Sequence, residues 1–555
     1  MVIQDIKKYA FSAWVLAAVL LLVGGFHEYI SCALSAVLSG YLLWTFHRKK
    51  TMRIRKDLLT SAVVAVCCGY GLSCIWAVDR GMAFVGFLKF LPLLLYLFCL
   101  QQEDAPSRVL ELLPCYGAAL AVLSAVGMQL QPLKALFSVA GRLAGTFQYP
   151  NTFAIFLLVC QLLVLKKAEK KLWDYIVMLI LVAGFLYTGS RTAFVVAVLA
   201  NAAILLTMTQ KKLRLIALSI LGGVCLVCVL LALNPASVLR RYLTISLTES
   251  TFVGRLLYWV DALPLLIKYP FGMGYMGYYY AQQSIQTGVY SVVYIHNDLL
   301  QLILDIGWIP AGLFVAAVIG WFCKKAVPLA DKLIVGAVCL HSLFDFNLQF
   351  IGIFLLLLLL LSGFDPQKAL TVKPRLPLKA GFALVILVGI YMGGALMLSH
   401  FGQQALSDAM YPYNTRNKLS MLEQEKELDK ANGVAEEILW QNTHFYAPYS
   451  IKAKNCYAKG DFGGMIQNAR AALERNPFAQ REYEDYCKML ITGIDLYQKN
   501  GDTQSAQICQ KELLAVYRQF SEMTGRLSPL GKMIKDQPVT ELAPEIKAYV
   551  QKIGG

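Results

Sequence analysis

The sequence predicts an all-α, polytopic membrane protein of about thirteen transmembrane helices, followed by a small soluble helical domain. Three observations carry that prediction. Of 555 residues, 57% are hydrophobic and only 15% charged, with a mean hydropathy of +0.54, whereas soluble domains carry about a quarter charged residues. Apolar runs such as 10–25, 215–234 and 350–361 recur along the first 398 residues, and a spanning helix needs about 20 predominantly apolar residues. From His400 onward the chain turns polar and charge-balanced, with 19 Lys+Arg against 19 Asp+Glu.

Taken in order, the expected spans run roughly 10–26, 29–46, 58–77, 81–100, 108–128, 149–165, 172–188, 192–208, 214–233, 307–323, 328–346, 348–363 and 379–397. The first could pass for a signal peptide, but no small-residue cleavage site follows it and a second span begins at once, so it reads as a retained helix. Positive charge orients the set. The net charge of +16 lies wholly before His400, where 32 basic residues face 16 acidic ones. With a cytoplasmic N-terminus, the inside loops are 47–57, 101–107, 166–171, 209–213, 324–327 and 364–378, and five of these six are rich in Lys and Arg, as the positive-inside rule requires. The long loop 234–306 and everything after about 399 then lie outside the cytoplasm. This charge distribution points to anionic ligands and membrane lipids and excludes nucleic acid as a partner. Most of the 14 cysteines sit in apolar runs, and none is spaced with histidine as a metal site would be.

The tail, 399–555, reads as a tetratricopeptide-like array, distinct from the membrane domain 1–398. Small residues Ala469, Ala471 and Ala472 let two helices approach, Gly460-Asp461 makes a turn and Asn476-Pro477 ends a helix. A weaker copy follows at Gly501-Asp502, 41 residues on. The array is a packed cap or a docking surface for a protein partner.

Ionisable residues beside apolar spans are functional candidates, and four outside segments hold them. In Gly141-Arg-Leu-Ala-Gly-Thr-Phe-Gln-Tyr-Pro-Asn151, glycines permit a turn and Arg142, with Tyr149 and Asn151, is left at the membrane surface. In Thr188-Gly-Ser-Arg-Thr-Ala193, Arg191 opens an apolar helix, and its fork of donors suits phosphate oxygens; snorkelling to lipid headgroups is the bland alternative. The long loop carries Arg240, Arg241 and an amphipathic helix with Phe252, Leu256, Trp259 and Leu263 on one stripe and Arg255 beside its polar face; it is expected to lie on the membrane. The tyrosines up to Tyr280 suit a sugar-stacking wall or an interfacial belt. Finally, Tyr294-Ile-His296-Asn297-Asp298 places an imidazole just before an apolar helix, where it can serve as a general base or simply as structure. Asp79, in Trp76-Ala-Val-Asp79, and His341 also lie at outside turns.

In this order and spacing these elements resemble the O-antigen ligase and polymerase family of bacterial membrane proteins, over roughly residues 60–360. The motifs are Trp76-Ala-Val-Asp79, Gly141-Arg-Leu-Ala-Gly-Thr-Phe147 with Pro150-Asn151, Gly189-Ser-Arg-Thr-Ala193, Gly272-Met-Gly274 and His296-Asn-Asp298 with Gly307. His341 and Asp345 form a weaker, later element. The resemblance implies a helical glycosyltransferase of the GT-C type in the cytoplasmic (inner) membrane. Such an enzyme moves a glycan from undecaprenyl diphosphate to an acceptor hydroxyl on a glycan, glycolipid or polymer, without metal, nucleotide or other cofactor. By motif, Arg191 and Arg255 would bind the diphosphate with Arg142 as helper. His296 would deprotonate or orient the acceptor, and Asn297, Asp298, Tyr149, Asn151, His341 and Asp79 would support them. The final span and the repeat-like tail depart from simple family members and leave the acceptor open.

Two other classes compete. A transporter or flippase would share the lipid-linked substrate, but such proteins show repeated sets of spans with broken helices at the midplane, and no such repeat is seen. An assembly scaffold would make His296 and Arg255 dispensable, at odds with the cost of arginine beside lipid.

Overall fold

The computed structural model describes residues 11–103, 108–207, 237–362, 369–373 and 375–554, with scattered positions between 214 and 234. The span expected at 214–233 falls largely outside the described residues. So does the loop 209–213, and the loops 101–107 and 364–378 are described only in part. The architecture is all-α, with two short two-stranded ribbons added. By proximity the chain forms two compact units. One comprises Met1–Leu72, Phe84–Ser246 and His296–Met397; the other comprises Ser73–Ala83, Leu247–Ile295 and Leu398–Gly555.

In the first unit, helices form where apolar runs demand that backbone groups be satisfied within the segment. Glu28–Lys49, Arg80–Gln102, Val109–Gly127 and Leu376–His400 are long and apolar enough to cross a membrane, as is Ser250–Lys268 elsewhere in the chain. Shorter apolar helices run Phe11–Leu21, Leu58–Ser73, Pro150–Leu165, Leu172–Tyr187, Arg191–Thr207, Trp308–Phe322 and Ile351–Ser362. These make the chain a multi-pass membrane protein. The first helix stops short of the expected 26 because Gly24 and Gly25 take positive φ in a 3-10 turn at Val23–Gly25. Two helices are buried on nearly every side. Pro150–Leu165 is buried along almost its whole length and Ile351–Ser362 along all of it; such helices belong in the middle of a bundle. Pro150–Leu165 packs on Val109–Gly127, Leu172–Tyr187, Arg191–Thr207 and Leu329–Ser342.

The larger ribbon joins Met52–Arg55 to Ala369–Val372, antiparallel, with Met52 opposite Val372. Its free edge is finished by glutamines. Arg53 N donates to Gln102 Oε1 at 2.9 Å and Arg55 N to Gln101 Oε1 at 3.1 Å, so the strand donors find acceptors rather than a further strand.

The tail within the second unit is a series of helical hairpins. Thr415–Gln424 is followed by Leu428–Gln441, Ala447–Ala458 by Phe462–Arg475, and Gln480–Lys499 by Thr503–Ser521, before a last helix at Pro544–Gly554. Each Gly-Asp pair does the same work. Gly460 and Gly501 take φ of +76° and +75°, and Asp461 and Asp502 then cap the next helix by accepting from Gly464 N and Ser505 N. The 41-residue spacing follows from the unequal helices, since 20 residues run in Gln480–Lys499 against 12 in Ala447–Ala458. Tyr483, Leu490, Ile494, Leu513 and Phe520 lie in one buried core.

Two charged groups of the described tail helices are buried, Lys418, paired with Asp408 and Glu437, and Glu512. Glu512 accepts from Arg470 Nε and from the Tyr486 hydroxyl, both at 2.7 Å. Burial alone would push its carboxyl up, but the two donors outweigh that and hold it below the ordinary glutamate range. A depressed folded-state value gives stability that is present above the unfolded pKa of about 4.3 and is lost as pH falls through the folded value. Hydrogen-exchange protection of Gln480–Lys499 and Thr503–Ser521 in the full-length protein is therefore expected to fall as pH drops below that range. Glu512→Gln should flatten this dependence and cost about 1 kcal/mol at neutral pH, a small figure because Arg470 is largely solvent-exposed.

Candidate active site

The site in the first unit is built on the turn between Leu329–Ser342 and Ile351–Ser362, where Asp345 is fully buried. Its carboxylate is a common acceptor. Oδ1 takes the Tyr149 hydroxyl at 2.8 Å, Phe346 N at 3.0 Å and His296 Nδ1 at 3.3 Å, and Oδ2 takes Asn151 Nδ2 at 2.7 Å. Tyr149 and Asn151 flank Pro150, the first residue of Pro150–Leu165, where proline's missing N–H costs nothing. The Tyr149 ring also lies 4.7 Å from that of Phe346, and His296 meets the same ring edge-on at 4.9 Å.

His296 stands just before the helix Asp298–Ile306. Asn297 caps that helix, its side chain accepting from Leu300 N at 3.0 Å. Asp298, nearly fully buried, accepts from Leu348 N at 3.0 Å and so ties the helix start to the Asp345 turn. Thr152 and His341 both bond Asn347 in that turn, at 3.1 and 2.8 Å. Two consequences follow for His296. Its φ is +54°, a left-handed conformation costing a non-glycine residue roughly 1–2 kcal/mol, which the surrounding bonds sustain. And with Nδ1 on the carboxylate, Nε2 is the nitrogen that takes or gives a proton, in the tautomer this hydrogen bond assigns.

The same network reaches an arginine cluster. Arg142 Nη2 donates to Asn151 Oδ1 at 2.7 Å, and its Nε to the carbonyl of Thr188 at 2.7 Å. Arg241 Nε donates to the next carbonyl, Gly189 O, at 3.1 Å. Gly189 is required there. Its φ is +60°, and a Cβ would stand 2.8 Å from Val238 and 3.1 Å from the Arg241 side chain. Burial, with Arg241 close by, pulls Arg142 down to about 10; it remains a cation at neutral pH beside another cation. Arg191 opens the helix Arg191–Thr207 immediately after this turn, and a helix N-terminus favours anions. The cluster is suited to an anionic group.

Of the residues expected from sequence, Arg142, Tyr149, Asn151, His296, Asn297, Asp298 and His341 therefore share one connected region, with Arg191 beside it. Arg255 and Asp79 belong to the second unit. Asp79 is fully buried there, accepting from Met82 N at 2.9 Å and Asn442 Nδ2 at 3.1 Å, which anchors the 73–83 loop to the tail. Asp345 and Arg241 were given no role from sequence, although Arg241 was noted in the long loop and Asp345, with His341, in a weaker family element. Among the described residues, no three His, Cys, Asp or Glu gather as metal ligands would.

The arginine-lined, histidine-centred cluster makes this multi-pass helical protein a candidate for handling an anionic group. Residues 176–316 match the family model described as O-antigen ligase, so over that stretch the chain carries an O-antigen ligase domain, of a ligase and polymerase type that works in cell-surface polysaccharide assembly. No curated protein matches the chain.

The common acceptor makes a stability prediction. Asp345→Ala strands three side-chain donors and one backbone donor, so the full-length protein in detergent should lose about 3 kcal/mol and melt earlier. Asp345→Asn, which keeps an acceptor oxygen, should shift melting less.

Proposed function

We propose that the protein transfers a glycan from an undecaprenyl-diphosphate-linked donor to an acceptor hydroxyl at the outer face of the bacterial cytoplasmic membrane, as a metal-independent ligase or polymerase of GT-C type. The observation that carries this is the continuous set of bonds from Arg142 through Asn151 and Asp345 to His296, joining an anion-binding cluster to a proton acceptor. The domain match over 176–316 supports the same reaction class.

In this reading Arg191, Arg142 and Arg241 hold the diphosphate, and the resemblance adds Arg255. Their charge stabilises the diphosphate as it leaves, which is where charge develops in the transition state. His296 Nε2 takes the proton of the acceptor hydroxyl as its oxygen bonds to the anomeric carbon and the bond from that carbon to the diphosphate breaks. Asp345 orients the ring and stabilises the imidazolium, the role a carboxylate plays behind a catalytic histidine. Phe346 and Tyr149 offer ring surface beside the imidazole.

Thirteen spans, a cytoplasmic N-terminus and an extracytoplasmic tetratricopeptide-like tail complete the proposal. The pairing of Met52–Arg55 with Ala369–Val372 supports placing loops 47–57 and 364–378 on one face. The acceptor is a glycan, glycolipid or polymer, and the tail is the place for a protein partner.

The test follows release of undecaprenyl diphosphate from a lipid-linked glycan by the purified protein. His296→Asn keeps a residue that tolerates positive φ and should fold normally, yet lose turnover about 10²–10⁴-fold. Asp345→Asn should lose turnover at unchanged expression. Wild-type-like release from His296→Asn would overturn the assignment of the base. Movement of the lipid across a bilayer without cleavage would replace the enzyme by a transporter.

A further inference from the structure

Within the second unit the tail meets the loop that carries Arg255 at several points, Tyr269 with His444 and Tyr279 with Phe445 among them, and it lays one irregular segment, 527–537, against the Arg255 helix itself. Ser528 N donates to Thr287 O at 2.9 Å, and the two hydroxyls lie 2.9 Å apart. Thr287 is itself fastened to the helix Ser250–Lys268, because Asp261 accepts from Thr287 N at 2.9 Å and Thr287 Oγ1 at 2.6 Å, and from the Tyr290 hydroxyl at 3.0 Å. At the start of that helix, Lys535 N donates to Ser250 Oγ at 2.7 Å. Between these ties, Ile534 packs with Val253, Leu257 and Tyr290 in a small buried cluster. The charges of Arg255 and Asp536 both reach the Tyr258 hydroxyl.

The fit is close at glycines. A Cβ on Gly531 would collide with the Thr287 carbonyl oxygen, and one on Gly288 would stand 2.9 Å from Gly531 Cα. The packed face of the helix is Val253, Leu257, Asp261 and Leu265, while Leu263, on the stripe expected from the sequence, is exposed. Residues 527–537 therefore close over the turn that carries Arg255.

We infer that segment 527–537 positions the Arg255 helix for the diphosphate, with Asp261, Thr287 and Ser528 as positioning residues, so that the C-terminal extension is part of the catalytic apparatus. This rests on the proposed role of Arg255. It differs from a packed cap, which would affect only stability, and from a docking surface, which would leave the purified protein's own activity untouched.

A double-mutant cycle on the full-length protein tests it, reading kcat/KM for the lipid-linked donor by carrier release. Gly531→Ala wedges the segment from Thr287 and should lower kcat/KM about tenfold in the wild-type background. In the Arg255→Lys background, which keeps charge but loses the guanidinium fork, the same change should cost less than about twofold, since interacting sites are not additive. Ser528→Ala should behave like Gly531→Ala, and serves in its place if that variant does not fold; Ser528→Thr, which keeps the hydroxyl, should resemble wild type. Equal losses in both backgrounds, or no loss in either, overturn the inference while leaving the proposed reaction standing. Wild-type protein that releases no carrier overturns both.

Discussion

The architecture around the site depends on one buried carboxylate. Asp345 gathers the start of Pro150–Leu165 through Tyr149 and Asn151, and the segment leading into Asp298–Ile306 through His296. A buried acceptor is costly unless every lone pair meets a donor, and here the donors are the residues that a transfer reaction would use. The constraint that stabilises the turn is thus the one that fixes the candidate site residues. The left-handed backbone at His296 is maintained by the same bonds, so local strain and site geometry have a single origin.

Around that centre the fold divides its labour. Two helices buried on nearly every side, Pro150–Leu165 and Ile351–Ser362, supply rigidity, and the residues bonded to the Asp345 turn lie at or just before the start of the first. The candidate site residues lie at helix starts and turns. This suits a membrane, where regular backbone must be satisfied internally and irregular backbone survives only when protein surrounds it.

What could be read from the sequence was whatever depends on neighbours in the chain. Apolar runs marked the helices because length and hydropathy are local properties. The Gly-Asp turns of the tail were legible for the same reason, since a positive φ followed by a cap needs only four or five residues. His296 and Arg142 stood out as ionisable groups beside apolar spans. Asp345 drew attention only as part of a family element, because its role comes from partners 49 to 196 residues away. The buried face of Ser250–Lys268 was also hidden. Its periodicity admits the Phe252 stripe and the Val253 stripe alike, and only packing against Tyr290 and Ile534 decides which turns inward.

The span between Asn151 and Asp345, 194 residues, bears on how the protein is made. Chains emerge from the ribosome in order, so the histidine and the first arginine are synthesised well before the carboxylate that aligns them. Until the Asp345 turn is inserted, Tyr149, Asn151 and His296 lack their shared partner and the imidazole has no fixed tautomer. The geometry of the candidate site is therefore completed only in one late step of biogenesis.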